Sequence, residues 1–125
     1  MSVFRLSSSK PILSFKVTGT LTRADLGQLQ TTAIDRIEDW GKVSALVILN
    51  DFLGWEKGAG LEDMFFAPEH DRNIEKIAIV GPEQWRDLVY AFAGKGFRPA
   101  AIEYFLPSQL ETAKKWLSQE ASVPL

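Results

Sequence analysis

The chain contains no cysteine, a single histidine and no long apolar run. Without cysteine, disulfide bridges, thiolate nucleophiles and cysteine-ligated metal sites are excluded. The longest purely apolar stretch, Ala45 to Leu49, is far shorter than the ~20 residues of a membrane-spanning helix. The segment from Met1 to Lys16 also lacks the apolar stretch of a signal peptide. We therefore expect a cytoplasmic protein, with any membrane contact being peripheral to the inner face.

The chain also lacks a large excess of charge of either sign. The 125 residues carry 14 basic and 16 acidic side chains, for a formal net charge of −2. Because no basic surface is available for phosphate backbones, nucleic acid is not an expected partner. A hydrophobic content of 46% suits one globular domain. With no repeat, low-complexity segment or linker, that domain is predicted to fill residues 1–125.

The first part of the chain predicts a hairpin followed by a helix. Residues 3–6 and 12–17 have the composition of two strands, and a Ser-rich turn with Pro11 separates them. Thr22 and Asp25 have the spacing of an N-terminal helix cap. Apolar residues then recur at three- and four-residue steps up to Trp40, and Gly41 is a typical helix stop.

The remainder alternates short apolar strands with helical patterns, which implies right-handed crossovers and parallel neighbours. The predicted fold is therefore α/β, a mixed, mainly parallel five-stranded sheet with four helices in the order β-β-α-β-α-β-α-β-α. The predicted strands are Ala45–Leu49, Ile77–Val80 and Ala100–Phe105; the predicted helices contain Leu61, Met64 and Phe65, then Trp85, Leu88, Val89 and Phe92 ending near Gly94, then Leu110, Ala113 and Leu117 behind a Ser108-x-x-Glu111 capping box.

Several segments in this order closely resemble the SpoIIAA-like family, whose fold is that of STAS domains. They are Gly19–Thr22, Leu49–Trp55, His70, Ile74–Gly81, Trp85 and Tyr104–Phe105, within a match from about Leu13 to Leu117. The resemblance implies a fold and says much less about activity, because one fold can carry many different sites. It also implies peripheral association with membranes and lipophilic ligands held beside mobile helices.

The resemblance also raises a phosphorylation-switched regulator of anti-sigma-factor type, which needs a hydroxyl after the third strand. Between Ser44 and Ser108 the chain has no serine or threonine. The switch chemistry is therefore absent. Asp51 and Glu56 are left with two interpretations: a fixed charge that mimics the phosphate, or acidic residues that favour a helix dipole.

The sequence offers little support for a catalytic or cofactor site. The glycines from Gly54 to Gly60 lack the Lys-Ser/Thr of a phosphate loop and the spacing of a dinucleotide fingerprint, so tight turns explain them. Glu69, His70 and Asp71 are the only candidate metal cluster, and a helix-terminal His70 with a structural hydrogen bond is the simpler interpretation. We expect no cofactor, no metal and no catalytic residue, and keep Asp51 and His70 as a possible polar site.

Apolar side chains are plentiful around the two middle helices. A core role explains many of them, whereas Phe52, Leu53 and Trp55, in a predicted loop, suggest an exposed contact surface together with Phe66. The candidate ligand or membrane contacts are Phe52, Leu53, Trp55, Leu61, Met64, Phe65, Phe66, Trp85, Phe92 and Phe97.

Three hypotheses follow. The leading one is a non-enzymatic module that binds a lipophilic small molecule, a membrane surface or both. The second is a protein–protein regulator in which the same patch docks a partner or a second copy as a homodimer. The third is an enzyme using His70 with a neighbouring carboxylate as acid–base groups.

Overall fold

The structure, a computed structural model, describes residues 3–5, 12–56, 72–93 and 100–118, with side chains for all but 3–5 and 92–93. The elements in chain order are β1 (Val3–Arg5), β2 (Ile12–Leu21), α1 (Arg23–Trp40), β3 (Val43–Trp55), β4 (Ile74–Val80), a 3₁₀ turn (Glu83–Trp85), α2 (Arg86–Ala93), β5 (Ala101–Phe105), a second 3₁₀ turn (Pro107–Gln109) and α3 (Leu110–Ser118).

The strands form one sheet in the order β1-β2-β3-β4-β5. The four strands β2 to β5 are the parallel part of the sheet, and each is paired with the next one along the chain. The short β1 runs antiparallel to β2, with Val3 opposite Val17 and Arg5 opposite Phe15. The predicted α/β class and the predicted antiparallel pairing at one side are therefore confirmed.

The helix count differs from the prediction. The described residues contain three α-helices, not the four expected. The predicted helix with Leu61, Met64 and Phe65 lies outside the described residues.

Helices cover both faces of the sheet. On one face, α1 and α2 pack over a large apolar core that includes Phe15, Ile37 and Val89. On the other face, α3 packs over a smaller core around Ala78 and Leu117. The candidate site described below belongs to the first face.

Both predicted caps of α1 are confirmed. The Thr22 hydroxyl accepts a hydrogen bond from the Asp25 backbone N–H at 3.1 Å and donates one to the Asp25 carboxylate at 2.8 Å. Gly41 has φ of +88°, and its N–H donates to the Ile37 carbonyl at 2.7 Å. The cap is worth about 1 kcal/mol to helix stability.

The predicted capping box before α3 is wrong. Pro107, not Ser108, begins the turn, because proline fixes φ and lacks the N–H that a first helical turn leaves free. The side-chain oxygen of Gln109 accepts a hydrogen bond from the Leu106 N–H at 2.9 Å. Ser108 therefore lies within a 3₁₀ turn, and the α-helix proper begins at Leu110.

Two tyrosines join α2 to the carboxyl ends of β4 and β5. The Tyr90 hydroxyl accepts a hydrogen bond from the Tyr104 N–H at 3.0 Å. The Tyr104 hydroxyl donates to the Pro82 carbonyl at 2.6 Å. Burial raises the pKa of Tyr104 to about 12, since the phenolate would lose its hydration there. These bonds fix the position of the chain that carries Trp85.

Candidate functional site

The strand β3 is longer than the sequence predicts. Ala45–Leu49 is its centre, but it runs from Val43 to Trp55. Phe52, Leu53 and Trp55, expected in a loop, are strand residues paired with the end of β2. The loop prediction for these three residues is therefore wrong.

The end of β3 carries two irregularities. The register with β2 pairs Thr18 with Asn50, Gly19 with Phe52 and Thr20 with Gly54, and so passes over Asp51 and Leu53. Asp51 has φ of +54° and Gly54 has φ of +108°. Aspartate tolerates the left-handed region better than most residues, and glycine enters it freely. Each extra residue acts as a β-bulge.

The bulges decide which side chains face the core. In a regular strand alternate residues share a face, so a residue three positions along would point away. Here Leu49, Phe52 and Trp55 lie opposite Val17, Gly19 and Leu21 on β2. Leu49, Phe52 and Trp55 all belong to the same core or pack against it.

Phe52, Trp55 and Trp85 form a compact group, referred to below as the aromatic cluster. Ring centroids are 5.1 Å apart for Phe52 and Trp55, 4.9 Å for Phe52 and Trp85, and 5.9 Å for Trp55 and Trp85. All three pairs are edge-to-face, a geometry that adds about 0.5–1.5 kcal/mol per pair beyond burial. The structure thus brings together three of the predicted contact residues.

The predicted contact residues differ in how much of each side chain is exposed to solvent. Phe52 is only 6% exposed, so the expectation of an exposed Phe52 is wrong. Trp55 and Trp85 are half-buried. Leu53, on the second bulge, is 72% exposed, as expected for a contact residue. Leu88, predicted on the buried stripe of its helix, is 56% exposed, because α2 turns Val89 and Tyr90 toward the core instead.

An apolar cavity of about 100 Å³ adjoins two rings of the aromatic cluster. Phe52 and Trp55 line it at the carboxyl end of β3. The other wall side chains that the structure describes are aliphatic or phenyl groups of the sheet and of α1 and α2, among them Phe15, Ala33, Val47, Ile77 and Val89.

A cavity of this size has a cost. At about 24 cal/mol per Å³, a fully enclosed empty space of about 100 Å³ would lower the free energy of unfolding by about 2 kcal/mol, which is the upper bound for this partly open cavity. That is a sizeable part of the total stability of a small domain. The cost would be offset when an apolar guest fills the space.

The two acidic candidates have different surroundings. The Glu56 carboxylate accepts a hydrogen bond at 2.9 Å from the Arg23 N–H in the first turn of α1, and the Glu56 N–H donates to the Leu21 carbonyl at 2.8 Å. Glu56 therefore favours the helix start, the simpler of its two interpretations. Asp51 is exposed on its bulge and outside the cavity wall.

The remaining predicted residues cannot be placed in this site. Leu61, Met64, Phe65, Phe66, His70 and Phe97 lie outside the described residues, and Phe92 is in α2 without a described side chain. Among the residues that the structure does describe, no group of acidic, histidine or cysteine side chains is arranged to hold a metal ion.

The sequence reasoning missed most of the cavity wall. Phe15, Ala33, Val47 and Ile77 were treated as strand or helix residues of an ordinary core. A signal was available in the small residues Ala33 and Ala45, which stand at core-facing positions on α1 and β3 and leave space between these elements. Small residues alone do not show that neighbouring side chains leave the space unfilled.

Comparisons with known proteins agree with this architecture. The model of the family described as SpoIIAA-like matches residues 12–118. A solved structure, described as an uncharacterized protein from the DUF3478 family with a SpoIIAA-like fold from Shewanella loihica PV-4, matches with a TM-score of 0.67 at 22% identity, covering 93% of each chain. No curated protein matches the sequence. Within the described residues, no helix has the length and hydropathy needed to cross a bilayer.

Proposed function

The chain belongs to the SpoIIAA-like family, and from this premise we propose that it is a non-enzymatic binding module that takes a lipophilic small molecule into the cavity lined at one end by Phe52 and Trp55. The observation that carries the proposal is the cavity itself, about 100 Å³ in volume with apolar walls. Ligand pockets are lined predominantly by hydrophobic and aromatic side chains.

The chemistry of the walls favours binding over catalysis. General acid–base or nucleophilic catalysis needs groups that exchange protons or attack a substrate. The side chains that the structure describes around the cavity offer hydrocarbon and aromatic rings instead. The hypothesis based on His70 concerns a residue outside the described part of the chain and gains no support from the cavity.

Native mass spectrometry after mild purification tests the proposal. We expect the wild type to retain an apolar molecule and Trp85→Ala to lose it, because Trp85 holds the rings of Phe52 and Trp55 in place. Trp116→Ala is the matched control, since Trp116 is also half-buried but lies with α3 on the other face of the sheet. Equal retention by all three proteins, or by none, would remove the basis of the proposal.

A membrane surface is the second form of the same proposal. Leu53 is 72% exposed and lies in the chain between Phe52 and Trp55, which line the end of the apolar cavity, so it is placed to enter a bilayer interface. Liposome flotation of the wild type and of Leu53→Asp tests this form. Flotation of neither protein would restrict the ligand to a free molecule.

A protein–protein regulatory role is the alternative, in agreement with the STAS-like fold. The exposed Leu53 and Leu88 favour it, since exposed large apolar side chains tend to mark contacts. It would operate without a phosphorylated serine, because residues 45–107 contain no serine or threonine. Light scattering over a range of concentrations tests self-association. A dimer lost in Leu88→Asp would support this role, and a monomer at every concentration would count against the homodimer.

A further inference from the structure

We infer that the cavity receives the unsubstituted hydrocarbon end of an amphiphile, while the polar group of that molecule stays outside. The inference rests on the proposed function and names the part of the ligand that the site recognises. It follows from the walls, the backbone and the volume of the cavity.

Apart from the indole of Trp55, the wall side chains that the structure describes offer a polar group nothing to bind. The described side chains facing the cavity from β2, β4 and α1, such as Phe15, Ile77 and Ala33, carry no hydrogen-bonding atom. A hydroxyl or carboxylate placed among them would give up its hydration without compensation.

The backbone offers no substitute. The wall strands β2, β3 and β4 are paired with one another along the cavity, with Phe15 opposite Val47 and Val47 opposite Ile79. Away from the bulges at Asp51 and Leu53, their N–H and C=O groups are used within the sheet, and those in the middle of α1 are used within the helix.

The volume sets how much of a ligand enters. An apolar cavity of about 150 Å³ admits benzene and stays dry when empty. A space of about 100 Å³ is smaller. It accommodates a chain terminus of a few carbons, not a whole drug-sized molecule, for which pockets of about 300–1,000 Å³ are usual.

Two isomers test this orientation directly. 1,2-Decanediol carries both hydroxyls at one end and leaves a free methyl terminus, whereas 1,10-decanediol carries a hydroxyl at each end. They have the same formula, so a difference between them reports on the chain end and not on the number of polar groups. Titration monitored by tryptophan fluorescence measures both affinities. We expect 1,2-decanediol to bind at least about tenfold more tightly.

Cavity-filling variants locate the binding. Ala33→Leu adds carbons from α1, and Ala45→Val adds them independently from β3, so failure of one variant to fold leaves the other. We expect each folded variant to weaken 1,2-decanediol binding at least about tenfold.

The outcomes separate this inference from the proposed function. Equal affinities for the two isomers, or undiminished binding of 1,2-decanediol by a folded variant, would overturn the inference while lipophilic binding still stood. Binding of neither isomer, nor of 1-decanol, would overturn both. Flotation on phosphatidylcholine vesicles that disappears in Ala33→Leu would support the inference with a bilayer lipid as source. Isomer discrimination without flotation would support it with a free amphiphile.

Discussion

The indole ring of Trp85 lies over Gly54, with its Cη2 atom 3.4 Å from the position that a Cβ on Gly54 would occupy. Gly54 also has φ of +108°, a backbone conformation that other residues rarely adopt. The end of β3 and the 3₁₀ turn before α2 therefore meet at a position that requires glycine, and this contact seats the aromatic cluster.

Replacing Gly54 tests that relationship. Gly54→Ala should lower the free energy of unfolding by about 1–3 kcal/mol, because alanine is strained at this φ. Urea unfolding followed by circular dichroism measures the change. Gly27→Ala is the matched control: Gly27 is in the exposed face of α1 with nothing near its Cβ position, so this variant should gain about 0.5–1 kcal/mol. A neutral Gly54→Ala would contradict the left-handed backbone conformation at Gly54.

Filling the cavity tests its volume. Ala33→Leu should raise the free energy of unfolding by about 1 kcal/mol, because the added carbons enter space that is empty in the described structure. Ala113→Leu is the contrast on the other face, where Ala113 of α3 is fully buried in the smaller core, and this variant should lose about 1–3 kcal/mol through overpacking. Equal losses in the two variants would show that the cavity face is as tightly packed as the other.

Replacing Lys76 tests how α3 is attached to the sheet. Its ammonium group donates a hydrogen bond to the Trp116 carbonyl at 2.8 Å and lies 5.2 Å from the centre of the Trp116 ring. Lys76→Met keeps the apolar stem but removes the charge, and should cost about 2 kcal/mol of unfolding free energy. Lys114→Met removes an exposed lysine that pairs with Glu111, and thermal unfolding should show little change. Similar midpoints for the two variants would argue against the buried role of Lys76.

Tyr104 gives a prediction for alkaline pH. Its pKa is raised from 10.0 to about 12 by burial, so the folded state holds the phenol proton more tightly than the unfolded chain. Stability from this group is complete below pH 10 and is lost as the pH rises toward 12, by an amount of the order of 1–2 kcal/mol.

Comparison with Tyr104→Phe isolates the contribution of the Tyr104 hydroxyl to stability. At pH 8 the variant should be less stable by about 1 kcal/mol, because the hydrogen bond to the Pro82 carbonyl is lost. Urea unfolding at pH 8 and pH 11 should show the gap between the two proteins narrowing, since only the wild type loses the Tyr104 contribution. A gap that is constant or wider at pH 11 would contradict the raised pKa.

The sequence predicted the regular parts of the fold because their signals are local. Thr22 and Gly41 bound α1 as expected, since caps depend on neighbouring residues. The parallel pairing of β2 to β5 followed from alternating strands and helices. The predicted start of α3 was wrong because Pro107 begins a 3₁₀ turn and Gln109 accepts the hydrogen bond from the Leu106 N–H, so that Ser108 does not cap the helix.

The candidate site was predicted only in part, for a physical reason. Leu49, Phe52 and Trp55 are spaced by three residues, whereas side chains on one face of a regular strand are spaced by two. Only the bulges at Asp51 and Leu53 place these side chains on one face. The aromatic residues could be picked out from their type, whereas the cavity beside them depends on how five elements pack and has no local signature.

The central claim is that the face between α1 and the sheet holds an accessible apolar cavity. Xenon is the most direct probe, because it is apolar and enters dry cavities of this kind. Methyl NMR under xenon pressure should show saturable shifts for lining methyls such as those of Ala33, Val47 and Ile77. Methyls on the opposite face, such as those of Leu46 and Leu117, should stay unchanged. Shifts that are absent, or that are equal on both faces, would contradict the account.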